Sequence, residues 1–102
     1  MAEIANLTSL IRDFAQRRNW EVFHNPKNLA MAITGEAGEL AAEFQWLTND
    51  ESNSVKGQKF EDIQLEIADV AIYLLRLCDV LKIDLEKVVR RKIEINESRF
   101  PA

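Results

Sequence analysis

Apolar residues recur along this chain at helical, never at strand, spacing. Leu7, Leu10, Ile11 and Phe14 predict an amphipathic first helix from about Ala2 or Thr8 to Arg18. It gives way at Asn19, and residues 20–26 (Trp-Glu-Val-Phe-His-Asn-Pro) read as a connector. Pro26 disfavours helix at Asn25 and suits the start of the next one. That second helix covers about Pro26 to Trp46 or Leu47, with Ile33, Ala37, Leu40, Phe44 and Leu47 as its apolar stripe. Residues 48–58 are polar, rich in Asn and Ser, and predict the one long loop. The third helix, about Lys59 to Leu81, is apolar nearly all the way round. A turn at Lys82-Ile83 follows, and Asp84 is placed to cap a fourth helix. Leu85, Val88, Val89 and Ile93 carry that helix to about Glu97, and Pro101 blocks its continuation. The expected fold is all-α, four helices in a bundle-like protomer. A helix apolar on all sides must be buried on all sides, so the third helix or its neighbour should lie in a homo-oligomer interface.

Two breaks in this pattern carry the chemistry. Glu36 falls inside the stripe of the second helix, and Glu39 and Glu43 lie at its edge, whereas a solvated glutamate belongs on the opposite face. In the third helix, Asp62, Glu66, Asp69 and Arg76 share one narrow polar arc, with Tyr73 beside Glu66. A charge facing a packed interior is costly unless it is paired or bound to a metal. Glu36 and Glu39, like Glu66 and Asp69, stand three residues apart and so neighbour each other on one helix face. Two such helices side by side would aim four carboxylates at one point, a cage for a hard divalent cation such as Mg2+. The plainer reading is a solvated or salt-bridged acidic face. Gly35 and Gly38 interrupt the second helix at a cost of roughly 1 kcal/mol each, which suggests close approach of a neighbour or ligand.

Composition narrows the class. The chain has 102 residues, enough for one domain with its own core. Hydrophobic content of 47% and charged content of 29% suit a soluble globular protein. No apolar run approaches the roughly 20 residues of a membrane span. The N-terminal residues Met1 to Ile4 show no secretory signal, and a lone Cys78 in an apolar helix suits a reducing cytoplasm. A net charge of −4 argues against binding a nucleic-acid polymer but leaves nucleotides open, since metal ions can bridge polyphosphate to acids. With one histidine and one cysteine, neither a zinc site nor the Glu-x-x-His pairs of di-iron bundles can be built.

Glu36-x-x-Glu39 followed by Glu66-x-x-Asp69 resembles the defining pattern of the MazG-like all-α nucleoside triphosphate pyrophosphohydrolases. The likeness extends to Trp20, Phe23-His24-Asn25-Pro26, Phe44-Gln45-Trp46, Tyr73 and Lys92-x-x-x-Asn96-x-x-Arg99-Phe100-Pro101, which look like the dCTP pyrophosphatase branch. The resemblance implies that Glu36, Glu39, Glu66 and Asp69 hold Mg2+. It implies cleavage between the α- and β-phosphates to a monophosphate and pyrophosphate. It carries triphosphate contacts to Tyr73, Lys92 and Asn96, and base or sugar contacts to Trp20 and Trp46. Some members place a histidine of the first helix near the base, where this chain has Ile11. The resemblance also implies a homodimer or a tetramer built from dimers.

The residue types permit that chemistry. Glu36 or Glu39 could take the proton of an attacking water, and Lys92 and Arg99 could steady the departing pyrophosphate. Lys56 and Lys59 border a loop that could act as a lid, although solubility explains loop lysines as well. Trp20 and Trp46 suit stacking on a base but would also serve as core aromatics. His24 reads as a brace for the connector. A different class of function is a non-catalytic helical module whose acidic face binds a basic partner.

Overall fold

The computed structural model describes residues 2–102, so the part of the signal-peptide reading that rests on Met1 lies outside the described residues. Five α-helices run in order: α1 (Ala2–Arg17), α2 (Pro26–Phe44), α3 (Asn49–Ser52), α4 (Gly57–Leu81) and α5 (Leu85–Arg99). There is no strand among the described residues. The four long helices are those the hydrophobic pattern predicts. Two connectors hold more structure than expected. Trp20–Phe23 forms a 3-10 turn, and α3 occupies the polar stretch between α2 and α4.

Local chemistry explains the boundaries. The Asn25 side chain accepts a hydrogen bond from the Asn28 N–H at 2.9 Å, with Pro26 in the first turn of α2. Thr48 and Glu51 form a reciprocal capping box, Glu51 N–H to Thr48 Oγ1 at 3.1 Å and Thr48 N–H to Glu51 Oε1 at 2.8 Å. That reciprocity turns an expected loop into a turn of helix. At the end of α4, Lys82 adopts the left-handed region (φ 60°), and the Ile83 N–H donates to the Cys78 carbonyl at 2.8 Å. This closes the helix in the manner usually left to glycine. Asp84 then caps α5 by accepting from the Lys87 N–H at 3.1 Å.

The closest packing is α2 against α4, with α1 laid on α4 beside them, and α5 adds little to this layer. The buried core is small: Ala15 from α1, Leu29 from α2, and Ile63, Leu75 and Cys78 from α4. The chain is open in shape, with a radius of gyration of 16.2 Å against the roughly 13 Å of a compact domain of this length. No helix among the described residues is long and apolar enough to cross a membrane.

Candidate metal and nucleotide site

Because α2 and α4 pack side by side, their inward-facing acids meet. Glu36 and Glu39 of α2 and Glu66 of α4 each contribute a carboxylate oxygen to a set lying within 4.8 Å of one another. Glu36 and Glu66 are half-buried, and Glu39 is exposed. The Oε2 atoms of Glu36 and Glu66 are buried with no hydrogen-bond partner. Loss of solvent pushes both carboxyls above the usual carboxylate range, and the nearby charges of Glu39 and Asp69 push them further. Asp69 therefore acts on the same spot electrostatically, although it stands outside the three-oxygen set. These are groups without a counter-charge, in contrast to Glu43 on the same helix, which pairs with Lys59 at 3.1 Å. Lys59 also donates to the Glu43 carbonyl at 3.1 Å, tying the start of α4 to the end of α2.

Asp69 also borders an aromatic pocket. This cavity of about 220 Å³ is walled by Ile11, Phe14, Trp20, Ile72 and Tyr73, with Asp69, His24 and Arg76 as its charged or polar members. A second, more open cavity of about 350 Å³ lies across Trp20, His24 and Tyr73 and reaches Asn28 and Ala32 of α2. Trp20 is 41% exposed. Its ring meets Phe14 edge-on at 5.6 Å and His24 edge-on at 6.3 Å. Arg18 lies 3.5 Å above the Phe14 ring, a cation–π contact that holds the outer wall. Trp20 is thus a half-exposed wall and not a core aromatic.

Arg76 shares the polar arc of α4 with Glu66 and Asp69, but its ion pair is with Asp79. Its Nε donates to His24 Nδ1 at 3.1 Å and its Nη1 to Asp79 Oδ2 at 3.0 Å. Asp79 in turn receives Nε and Nη2 of Arg12 at 2.8 and 2.7 Å, a bidentate link between α1 and α4. The two guanidinium groups hold the Asp79 carboxyl below its usual range, Arg12 foremost. His24 braces the connector as expected, and burial followed by the Arg76 charge lowers its pKa. The network escaped sequence reading because Asp79 stands 67 residues from Arg12. The i, i+3 spacing of Arg76 and Asp79 was its one visible trace.

The remaining expected site residues do not meet the acids within one chain. Trp46 is 87% exposed and lies past the C-terminal end of α2, whereas Trp20 packs beside the N-terminal half of that helix. Lys92, Asn96 and Arg99 lie on α5, and no hydrogen bond, ion pair or shared cavity joins them to the acid cluster among the described residues. Arg99 instead sits 5.0 Å over the Phe100 ring. Space beside Gly35 and Gly38 is open: a Cβ at either would meet nothing within 4 Å. No neighbour among the described residues makes the close approach these glycines suggested.

The acid cluster on paired helices has counterparts among known proteins. A family model described as MazG-like matches residues 31–102, which contain all four acids. This chain belongs to the MazG-like family. Human dCTP pyrophosphatase 1 is 41% identical over 101 residues, and the mouse protein of that name 38% identical over 100. These matches take in 97% and 96% of this chain, which spans 59% of the length of either relative. Among solved structures, a pyrophosphatase from Archaeoglobus fulgidus superposes with a TM-score of 0.92 at 42% identity, covering 98% of this chain and 94% of that one.

Proposed function

We propose that this protein is a Mg2+-dependent nucleoside triphosphate pyrophosphohydrolase, acting on dCTP or a related pyrimidine deoxynucleotide in the cytoplasmic nucleotide pool. One observation carries the reading: two buried carboxylate oxygens, Glu36 Oε2 and Glu66 Oε2, lack any partner within a cluster of three acids. Buried polar atoms are normally satisfied, and mutual repulsion makes such a cluster costly until a cation enters it. An acidic face serving only as a docking surface would leave its carboxylates solvated or paired, as Glu43 is. Names borne by the relatives, dCTP pyrophosphatase 1 and pyrophosphatase, agree with the reading.

In this reading Glu36, Glu39, Glu66 and Asp69 hold the metal. The oxygen-only donor set fits Mg2+, which when bound would offset phosphate charge and acidify a water. Trp20, with Phe14 edge-on to it, presents an apolar ring face for the base, and Tyr73 and Asp69 line the same cavity. Glu36 or Glu39 accepts the proton of the attacking water. Water adds to phosphorus, the α–β phosphoanhydride bond breaks, and pyrophosphate leaves. Residues 1–102 act as one unit. Lys92, Asn96 and Arg99 reach substrate only when a second copy or closure of α5 brings them over the cluster, and Trp46 only when a second copy does.

Incubation with Mg2+ and each canonical NTP and dNTP tests the reading. Monophosphate and pyrophosphate should appear from dCTP or another pyrimidine deoxynucleotide, and Glu36→Gln should remove turnover while leaving the helical signal intact. Folded protein that cleaves no canonical or modified nucleotide would return the acidic face to the docking interpretation.

A further inference from the structure

The small aromatic pocket contains more polar chemistry than stacking requires. Its volume, about 220 Å³, is below the roughly 300–1,000 Å³ of a pocket that holds a whole ligand, so it suits one ring. Ile11, Phe14 and Ile72 offer no hydrogen bond. Asp69 is a metal ligand in the proposed reading, which leaves Arg76 and His24 as the other charged or imidazole groups available to a base edge. Arg76 is only 7% exposed. A guanidinium has five N–H donors and no acceptor. Two of the five are engaged, by His24 and Asp79, and no other hydrogen bond to Arg76 exists among the described residues. His24 Nδ1 accepts from Arg76, so its one ring proton is on Nε2, and it too is a donor. Every polar group that the wall holds beyond Asp69 and the Tyr73 hydroxyl is therefore a donor. The complementary base edge presents acceptors.

We propose that Arg76, held by His24 and Asp79, is the residue that selects cytosine over uracil and thymine, by donating to the adjacent acceptors N3 and O2. In uracil and thymine N3 carries a proton, and a guanidinium facing it would set donor against donor. The fork geometry of arginine matches two neighbouring acceptors, and lysine would not reproduce it. The Asp79 link keeps the guanidinium in place from behind, with Arg12 as the second clamp on that carboxylate. The inference rests on the proposed pyrophosphohydrolase reading and names the group that sets its base preference.

The test compares kcat/KM for dCTP, dUTP and dTTP in the wild type, Arg76→Met and Arg76→Lys, each checked for folding by circular dichroism. Calorimetric binding of dCMP and dUMP without metal supplies a readout independent of turnover. The wild type should favour dCTP and dCMP. Both variants should lose that preference by about ten-fold or more, the scale of one bidentate base contact. A merely structural Arg76 would lower kcat/KM for all three substrates alike and leave the ratio unchanged, which overturns the inference while the enzyme stands. A wild type that turns over nucleotides without preferring dCTP overturns it equally. Absence of any turnover refutes the enzyme reading, and equal dCMP and dUMP binding then refutes the role of Arg76 as well. Should Arg76→Met fail to fold, Arg76→Lys retains the charge and still decides the ratio.

Discussion

Glu36 and Glu66 set the behaviour of the site at the scale of single residues. Each carboxyl holds its proton more tightly in the folded chain than when solvated, through desolvation and then the charges of Glu39 and Asp69. A carboxyl with a raised folded pKa favours folding below its unfolded value, and that contribution is lost as pH rises through the folded value. The metal-free protein should accordingly gain melting temperature as pH falls from neutrality toward the ordinary carboxylate range. Glu36→Gln should raise the melting temperature at neutral pH by a few degrees and flatten the slope. Millimolar Mg2+ should also stabilise the wild type, by mass action on the folded state, and lose that effect in Glu36→Gln. Thermal melts across pH, with and without the ion, check all three; a melting temperature indifferent to Mg2+ would count against the cage. Glu36 was legible from sequence because it interrupts an apolar stripe. The partnerless state of its oxygen was not, since that depends on α4 lying across it.

At the scale of elements, the decisive contact is the one that fixes α1 to α4. Arg12 and Arg76 converge on Asp79, whose side chain is 11% exposed. Removing a buried partner costs about 3–5 kcal/mol, and the 42% exposure of the Arg12 side chain reduces this to roughly 2–3 kcal/mol by solvent screening. Asp79→Ala should therefore lower stability by that amount in chemical denaturation. Asp79 has a depressed pKa, so its contribution is present above the unfolded carboxylate value and fades as pH falls through the folded one. Loss of acid sensitivity in that region should accompany the substitution; a variant as stable as the wild type would mean the pair is idle. The helices themselves were readable from periodicity, from Pro26 at the start of α2 and from the capping residue Asp84. The capping box of Thr48 with Glu51 also lies in the sequence, but its polar surroundings read as loop.

At the scale of the whole molecule, the chain leaves much apolar surface uncovered. Phe60, Ile67, Leu74 and Leu81 are 46%, 52%, 38% and 47% exposed. They follow each other at seven-residue intervals, so they form one stripe along α4 about 32 Å long. With α5 barely packed and the radius of gyration large, the protomer has the form of a part. We infer a homodimer, or a tetramer built from two dimers, that covers this stripe, since extended exposed apolar surface marks interaction sites. Sedimentation should give a multiple of the chain mass, and Leu74→Glu should shift it to one chain with exposed hydrophobic surface. A monomeric wild type would remove the assembly. The same experiment bears on Lys92, Asn96, Arg99 and Trp46, which one chain alone does not bring to the acids.

The sequence by itself determined the helices, their order and the identity of the acids, because these follow from spacing within a single segment. An apolar period of 3.6, a proline at a helix start and two carboxylates three residues apart are local facts. Tertiary structure decided what depends on two segments meeting: three carboxylate oxygens gathered by α2 and α4, the edge-on wall of Phe14 and Trp20, and the joining of Arg76 to His24 and, through Asp79, to Arg12. Arg76 shows the reason. Its i, i+3 neighbour Asp79 is local to α4, but the ring nitrogen of His24 and the guanidinium of Arg12 come from the connector and α1, and only packing placed them within reach of that pair.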